Sequence, residues 1–146
     1  MSIRIRAVEA KDRKQWEILW RGYYTFYESD LEAGTDALWR RLMAPSSDGP
    51  FALAAEDGGA GLVGLAQYLF HQTTWSQAPR CYLNDLFTSD AARGQGVGRK
   101  LIEAVYAAAD ARGASQVYWT TQQFNHAGRL LYDRIGKLTP FIKYVR

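Results

Sequence analysis

The first third of the chain changes from a two-residue hydrophobic period to a helical one. Apolar and basic residues alternate over Ile3–Val8, which predicts a half-buried β-strand. Asp12–Tyr27 is predicted to be a helix with Asp12 as its N-cap. Its apolar residues fall at helical spacing: Trp16, Leu19, Trp20 and Tyr23. A shorter helix is predicted over Thr35–Met43, with Thr35 as its cap.

The middle of the chain predicts three β-strands. Phe51–Glu56 and Leu62–His71 are apolar runs joined by the glycine-rich segment Asp57–Gly61, which is typical of a hairpin. A loop is predicted over Gln72–Ala78. It is followed by a short apolar and aromatic run, Tyr82–Thr88, which predicts a buried central strand.

The last third predicts two helices and two strands. An amphipathic helix spans Val97–Arg112, and the next strand, Gln116–Thr121, should run parallel to the central one because a helix connects them. A second helix is capped by Asn125 and ends at Ile135. Thr139–Val145 is predicted to be a final strand. The resulting order, β-α-α-β-β-β-α-β-α-β, indicates a mixed α/β sheet with helices on both faces.

Composition bounds the class of protein. A length of 146 residues suits one domain over 1–146, and 47% hydrophobic residues suit a folded core. The net charge of +3 gives little reason to expect a nucleic-acid partner. We find no signal peptide and no apolar run long enough for a membrane span, so a cytoplasmic protein is expected. The single cysteine, Cys81, forms no internal disulfide and is expected to be buried.

A glycine-rich, basic turn joins the central strand to the helix that follows. Glycine allows the backbone to approach a ligand closely, and a helix N-terminus offers unpaired N–H groups. Together they favour a phosphate or pyrophosphate ligand. The residues of this turn are Arg93, Gly94, Gln95, Gly96, Val97, Gly98, Arg99 and Lys100.

The spacing of this turn excludes two common nucleotide sites. A Walker loop needs Ser or Thr after Gly-Lys, whereas Lys100 is followed by Leu101. A dinucleotide fingerprint needs G-x-G-x-x-G, and the turn has G-x-G-x-G. The segment Gly59–Gly64 matches that fingerprint, but a strand-like run follows it instead of a helix, so we reject a dinucleotide site there.

The spacing Arg93-x-x-Gly96-x-Gly98 resembles the acyl-CoA pyrophosphate loop of the GNAT N-acetyltransferase superfamily. The segment Asn125–Gly136 is similar to that superfamily's N-x-x-A-x-x-L-Y-x-x-x-G pattern, with small offsets. The resemblance covers nearly the whole chain. It implies a mostly antiparallel sheet with a splayed parallel central pair. Two further segments, Tyr82–Phe87 and Tyr23–Glu28, look most like the diamine, polyamine and small histone acetyltransferase branch.

The resemblance also implies a cosubstrate, acetyl-CoA, and the residues that contact it. The main chain of the central strand would pair with the pantetheine arm, and an N–H near Phe87 would polarise the thioester carbonyl. The glycine turn would hold the pyrophosphate. Besides the turn, the implied contacts are Leu86, Phe87, Thr88 and Asn125.

Tyr132 is the candidate acid. Counting about 100° per residue from Ala127, Leu131 and Ile135 lie at about 40° and 80°, and Tyr132 at about 140°, at the edge of the apolar stripe. A phenol there has its ring packed and its hydroxyl free. Its place matches the superfamily tyrosine that protonates the CoA thiolate.

Two carboxylates are alternative candidates for the general base. Some polyamine-type relatives have a glutamate where this chain has Asn84, which cannot take a proton. Asp85 and Glu28 remain, each acting through water. Alternation in a strand predicts that Asp85 points away from the face of Asn84. Glu28 also begins an acidic segment that would form an anionic rim for a cationic amine.

The leading hypothesis is acetyl-CoA-dependent N-acetylation of a small primary amine, such as a polyamine, diamine or amino acid, by direct attack in a ternary complex. The alternatives are a protein or peptide N-acetyltransferase and a non-catalytic acyl-CoA sensor. The spacing of His71 and His126 gives no metal site, so no metal is expected. A final strand at a sheet edge can pair with another subunit, so a homodimer is predicted.

Overall fold

The computed structural model describes residues 2–146 and is built on a five-stranded sheet with the order β1-β2-β3-β4-β5. All neighbours are antiparallel except β4 and β5, which are parallel. The mixed sheet expected from the sequence is therefore confirmed. Its strands are β1 Ile3–Ala7, β2 Phe51–Asp57, β3 Gly61–Thr73, β4 Ser76–Thr88 and β5 Gln116–Tyr118.

Four α-helices cover the two faces of the sheet, with short 3₁₀ turns at Ala10–Asp12, Glu32–Gly34 and Asp90–Ala92. The helix after β4 ends at Arg112, and the next residue, Gly113, has a left-handed φ of 74°, which glycine adopts without strain. Among residues 2–146, no helix combines the length and apolar character needed to cross a bilayer. The helices are α1 Arg13–Phe26, α2 Thr35–Met43, α3 Val97–Arg112 and α4 His126–Ile135.

The core is divided in two by the sheet. On one face, α1 and α2 bury a cluster that includes Trp16, Leu19 and Trp20. On the other face, α3 buries Leu101 and Val105 against the sheet, and α4 packs at the margin of this second cluster. Burial on both faces explains why the helices read as amphipathic while the central strands read as apolar.

The third and fourth strands are longer than the sequence indicated. The predicted loop over Gln72–Ala78 is wrong, because β3 and β4 continue into it and pair as far as Thr73 and Ser76. Only Thr74 and Trp75 remain to make the turn. Cross-strand hydrogen bonds thus extend the hairpin through residues that have little strand character of their own.

A bulge interrupts the pairing of β3 and β4 at Asn84. Gln67 pairs with Asp85, and the next residue of β3, Tyr68, pairs with Leu83. Asn84 is therefore left without a partner on β3, which is the geometry of a β-bulge.

The predicted final strand over Thr139–Val145 is wrong. The chain after α4 forms no strand, and its large apolar side chains are exposed to solvent. The strand β5 is also shorter than predicted, since it ends at Tyr118. The exposed side chains are Leu138, Phe141, Ile142, Tyr144 and Val145, which are 73–88% exposed.

Two predicted caps act differently from the expectation. Thr35 is the first residue of α2, not its cap, and its hydroxyl donates to the carbonyl of Leu31 at 3.2 Å. Asp12 is the N-cap residue of α1, as predicted, but its side chain makes no cap bond to the helix. Asp12 instead accepts from the N–H of Glu9 at 2.7 Å and from the guanidinium of Arg6 at 2.7 and 2.9 Å.

The Arg6–Asp12 pair gives the first testable prediction. Asp12 is 2% exposed, and the hydrogen bonds from Arg6 hold the pKa of its carboxyl below the ordinary value. We expect Asp12→Asn to lower the free energy of unfolding by about 2 kcal/mol at pH 7, because Arg6 would lose its buried carboxylate partner and keep only Glu56, at 3.0 Å. Urea unfolding measures this loss, with the exposed Asp133→Asn as the control.

The pH dependence of this loss has a definite sign. A carboxyl with a lowered pKa stabilises the fold above its unfolded pKa of about 4. That contribution disappears as the pH falls through the lower folded pKa. The difference between Asp12→Asn and the unchanged protein should therefore shrink below about pH 4, and an equal difference at pH 3 and pH 7 would contradict this assignment.

Candidate active site

The site is organised by a gap between the two parallel strands. Pairing of β4 with β5 covers only Arg80 to Tyr82 and stops where Tyr82 faces Tyr118. Strand β4 continues to Thr88, so from Leu83 onward its edge facing β5 has no strand partner. Unpaired main-chain N–H and C=O groups along a strand edge can hydrogen-bond an extended ligand.

The glycine turn lies at the end of this edge, between β4 and α3. Gly94 and Gly96 have φ values of 76° and 79°, a conformation that other residues adopt only with strain. Gly96 is also the N-cap of α3, which has 16 residues. The main-chain N–H groups of the first helical turn are therefore available at the end of the gap, as an anion site requires. Val97 contributes only its main chain there, because its side chain is 1% exposed and lies in the core.

The predicted cationic residues of the turn are engaged in different ways. Arg99 pairs with Glu103 at 2.7 Å, and Lys100 is exposed. Arg93 turns toward α1: its Nε donates to the carbonyl of Thr88 at 3.2 Å, and its guanidinium lies over the rings of Phe26 and Phe87. Gln95 is exposed, and its Nε2 donates to the carbonyl of Ala91 at 3.2 Å. Arg93 also pairs with Asp90 at 3.3 Å, so Lys100 is the one predicted cation of the turn that makes no ion pair within residues 2–146.

A small pocket opens where the gap meets α1 and α4. Its wall is neutral and strongly aromatic, and it is lined by Tyr23, Tyr27, Leu83, Asn84, Leu86, Trp119, Thr120 and Tyr132. Leu86 therefore faces the pocket, whereas Phe87 points to the opposite face of the sheet and packs against α1. Of these two predicted contact residues, Leu86 therefore presents its side chain to the gap, whereas Phe87 presents only its main chain.

Tyr132 reaches this pocket from α4. Its ring meets Trp119 edge-on, with centroids 5.6 Å apart. Burial raises the pKa of its phenol to about 12, so the hydroxyl carries its proton at neutral pH. The helix that presents it is capped by Asn125, whose Oδ1 accepts from the N–H of Gly128 at 3.3 Å, which confirms the predicted cap.

The two candidate bases lie in different environments. Asp85 is set behind the pocket wall: its Oδ2 accepts from Nε2 of Gln67 at 2.8 Å, and the Tyr23 hydroxyl lies beside the carboxylate. Burial raises the pKa of Asp85. Asn84 faces the pocket while Asp85 does not line it, as strand alternation predicted. Glu28 is exposed, follows α1 with a left-handed φ of 54°, and does not line the pocket.

Six of the eight pocket residues were not predicted as site residues, and two of them, Leu83 and Asn84, belong to β4 next to the predicted contacts. Tyr23 and Tyr27 belong to the aromatic end of α1, and that aromatic run was the available signal. The Tyr23 hydroxyl donates to the carbonyl of Asn84 at 3.3 Å, and burial together with the charge of Asp85 raises its pKa. Trp119 and Thr120 directly follow β5, in the predicted strand that the resemblance implies to splay from β4.

Other nucleophilic or metal-binding chemistry finds little support. Cys81 is fully buried, and burial raises the pKa of its thiol to about 11, so it is a core residue in its neutral form. Over residues 2–146, no three His, Cys, Asp or Glu side chains are grouped closely enough to hold a metal ion.

Comparison with known families agrees with this geometry. The profile described as "Acetyltransferase (GNAT) family" matches residues 13–136, which include the gap, the glycine turn, α1 and α4. The chain belongs to the GNAT acetyltransferase family. The resemblance read from the glycine turn is therefore confirmed at the family level, and GNAT proteins are acyltransferases.

Two relatives that are similar to the chain in sequence are named as acetyltransferases. The chain is 38% identical over 146 residues to the D-amino-acid N-acetyltransferase HPA3 of Saccharomyces cerevisiae, covering 97% of this chain and 89% of that protein. It is 33% identical over 81 residues to the thialysine N-epsilon-acetyltransferase of Bos taurus, covering 56% of this chain and 47% of that protein.

Solved structures share the fold. A ribosomal-protein-alanine N-acetyltransferase from Brucella melitensis superposes with a TM-score of 0.82 at 19% identity, covering 99% of both chains. The aminoglycoside acetyltransferase AAC(6')-Iy in complex with a bisubstrate analogue superposes with a TM-score of 0.86 at 15% identity, covering 100% of this chain and 98% of that one.

Proposed function

We propose that residues 1–146 form one N-acetyltransferase domain that transfers an acetyl group from acetyl-CoA to the primary amine of a small molecule. The proposal is supported by three features that lie next to one another in the structure. The unpaired edge of β4 ends at a glycine turn that opens α3, and the phenol of Tyr132 lies in the pocket beside that edge. A thioester that carries a diphosphate needs main-chain groups along its arm, an anion site at the diphosphate and a proton donor near the sulfur.

The residues present fit acetyl-CoA. The main chain of Leu86, Phe87 and Thr88 would bind the pantetheine arm, and the N–H groups that follow Gly96 would bind the pyrophosphate. Gly94 and Gly96 have nothing within 4 Å of the position that a Cβ would occupy, so a ligand has access to the turn. When bound, acetyl-CoA supplies the activated acetyl group.

The proton balance of the transfer can be assigned to residues. The amine nitrogen bonds to the carbonyl carbon, and the carbon–sulfur bond breaks. Asp85 takes the proton released by the nitrogen through the Tyr23 hydroxyl, which lines the pocket and lies beside the carboxylate. For this transfer the hydroxyl proton turns from the carbonyl of Asn84 to Asp85. Tyr132 gives its proton to the departing sulfur and regains one from solvent. We favour Asp85 over Glu28 as the base because Glu28 is exposed and outside the pocket lining.

The lining of the pocket supports a small amine acceptor. Its side chains are neutral, so the uncharged nucleophilic form of an amine meets no local cation or anion there. D-amino acids and thialysine, named for two of the relatives, are acceptors of this size. Glu28, Asp30 and Glu32 lie after α1, where they would form an anionic rim for a second, charged amine.

A substrate panel tests the function. We expect release of free CoA thiol from acetyl-CoA in the presence of at least one of D-amino acids, thialysine or diamines, with the acetylated amine identified by mass spectrometry. Turnover only with peptides would favour the protein acetyltransferase, and binding of acetyl-CoA without any turnover would favour the sensor. On the same panel, Glu28→Gln should raise KM for diamines more than for monoamines, and equal effects would exclude the rim.

The acid is tested by Tyr132→Phe. This change removes the phenol but keeps the ring against Trp119, so we expect kcat to fall about 10²-fold or more, with acetyl-CoA affinity nearly unchanged. Stopped-flow turnover and calorimetry measure the two quantities. Tyr68→Phe, in the core away from the pocket, is the matched control. Unchanged kcat in Tyr132→Phe, with chemistry shown to be rate-limiting, would remove the assigned role.

We also propose that the protein is a homodimer. The segment 137–146 exposes five large apolar side chains without forming a strand, and Phe141 lies against the exposed Trp75. Strand β5 is an edge strand with only three residues. An exposed apolar segment next to an open sheet edge is suited to a second copy of the same chain, which would supply the missing strand and bury these side chains.

Light scattering tests the dimer. A chain of 16.5 kDa should elute as a species of about 33 kDa, twice the monomer. Phe141→Glu combined with Ile142→Glu should shift the mass to the monomer, because two charges would have to be buried. Lys143→Glu changes a charge in the same segment without touching its apolar residues. A monomeric mass for the unchanged protein at working concentration would contradict the proposal.

A further inference from the structure

Strand β3 carries a buried amide that is hydrogen-bonded at both ends. The side chain of Gln67 is 2% exposed. Its Oε1 accepts from Nε1 of Trp16, on α1, at 2.8 Å, and its Nε2 donates to Oδ2 of Asp85, on β4, at 2.8 Å. Gln67 thus connects a core tryptophan to the carboxylate assigned above as the base.

The orientation of this amide is fixed by the chemistry of its neighbour. An indole N–H can only donate a hydrogen bond, so the amide atom that faces Trp16 must be the oxygen. The NH₂ group must then face Asp85. Trp16 is 0% exposed, so these bonds cannot be exchanged for bonds to bulk water. In the folded protein Gln67 therefore keeps its NH₂ group, and not its carbonyl, directed at Asp85.

The groups facing Asp85 come from three elements and are neutral at ordinary pH. They are Tyr23 from α1, Gln67 from β3, and Asn84 from β4, whose Nδ2 donates to Oδ1 at 3.4 Å. The next titratable groups, Tyr27 and Tyr82, lie beside Tyr23. Burial raises the pKa of Asp85, and the hydrogen bond from Gln67 and the adjacent Tyr23 hydroxyl oppose that rise. Because these groups are neutral, hydrogen-bond donors rather than a cation must keep the Asp85 carboxylate ionised.

We propose that Gln67 is a positioning residue, which holds the Asp85 carboxylate ionised and aimed at the Tyr23 hydroxyl, with Trp16 fixing the direction of the amide. This inference rests on the proposed function, in which Asp85 takes the amine proton through Tyr23. Gln67 does not line the pocket and so touches no reacting atom. It acts only by setting the pH at which Asp85 can accept a proton and the direction from which it accepts it.

The sharpest test is Gln67→Glu, followed by the pH dependence of kcat. Glutamate keeps the size and the acceptor toward Trp16 but replaces the donor with a second carboxyl. Two adjacent carboxyls share a proton, so we expect the acid limb, which is the fall of kcat at low pH, to move up by about one pH unit or more. KM for acetyl-CoA should change less than about twofold. Gln72→Glu adds the same charge at an exposed position of the same strand and should leave the limb in place.

Gln67→Met keeps the test decisive if the buried glutamate prevents folding. Methionine has nearly the same volume and forms neither hydrogen bond, so Asp85 loses its donor and the acid limb should again move to higher pH. Each variant is first checked by circular dichroism and thermal melting, and the panel amine with the highest turnover is used throughout. The titration of that amine is common to all variants, so any difference belongs to the protein.

The outcomes separate the role of Gln67 from that of Asp85. An upward shift of the acid limb in folded Gln67 variants, together with loss of that limb in Asp85→Asn, would support both assignments. An unmoved limb in the Gln67 variants, with the limb lost in Asp85→Asn, would overturn the role of Gln67 and leave the proposed function intact. Full rate and an intact limb in Asp85→Asn would instead overturn Asp85 as the base.

Discussion

The parting of β4 from β5 is the constraint on which the rest of the structure depends. Two parallel strands that remained paired to their ends would satisfy each other's main chains and leave no site between them. Here pairing ends at Tyr82 and Tyr118, and β4 continues alone on that side to Thr88. The same strand still pairs with β3 along its other edge, so the free edge is held rigidly. A ligand can therefore complete the sheet without any rearrangement of the core.

The two cores explain how this edge is kept open. Helices α1 and α2 pack against one face of the sheet, and α3 packs against the other, so β4 is supported on both faces while its edge stays free. The bulge at Asn84 lies at the point where α1 crosses β4, and the aromatic end of α1 fills the space around it. The pocket is thus lined by α1, β4, the segment after β5 and α4, and the burial of α1 and β4 elsewhere keeps it preorganised.

Much of this arrangement could be predicted from local patterns. The glycine turn, the amphipathic α3 and the Asn125 cap each depend on residues close together in sequence, and each was predicted correctly. The family assignment followed from them. The length of β3 and β4, the bulge at Asn84 and the buried Gln67 depend on partners across the sheet, which no local period records. The predicted final strand failed for the same reason: Thr139–Val145 has strand-like residues, but a strand needs a neighbour that this chain does not supply to it.

Calorimetric titration with acetyl-CoA tests whether the open edge of β4 and the glycine turn bind the cosubstrate, by comparing the unchanged protein with Gly96→Ala and Gly34→Ala. Both substitutions add only a methyl group, and neither position has atoms within 4 Å of the new Cβ, but only Gly96 has a left-handed φ. We expect one-to-one binding that Gly96→Ala weakens by about tenfold, since reshaping the turn costs on the order of 1 kcal/mol, and that Gly34→Ala leaves unchanged. Absence of binding to the unchanged protein, or equal affinity in all three, would contradict this expectation.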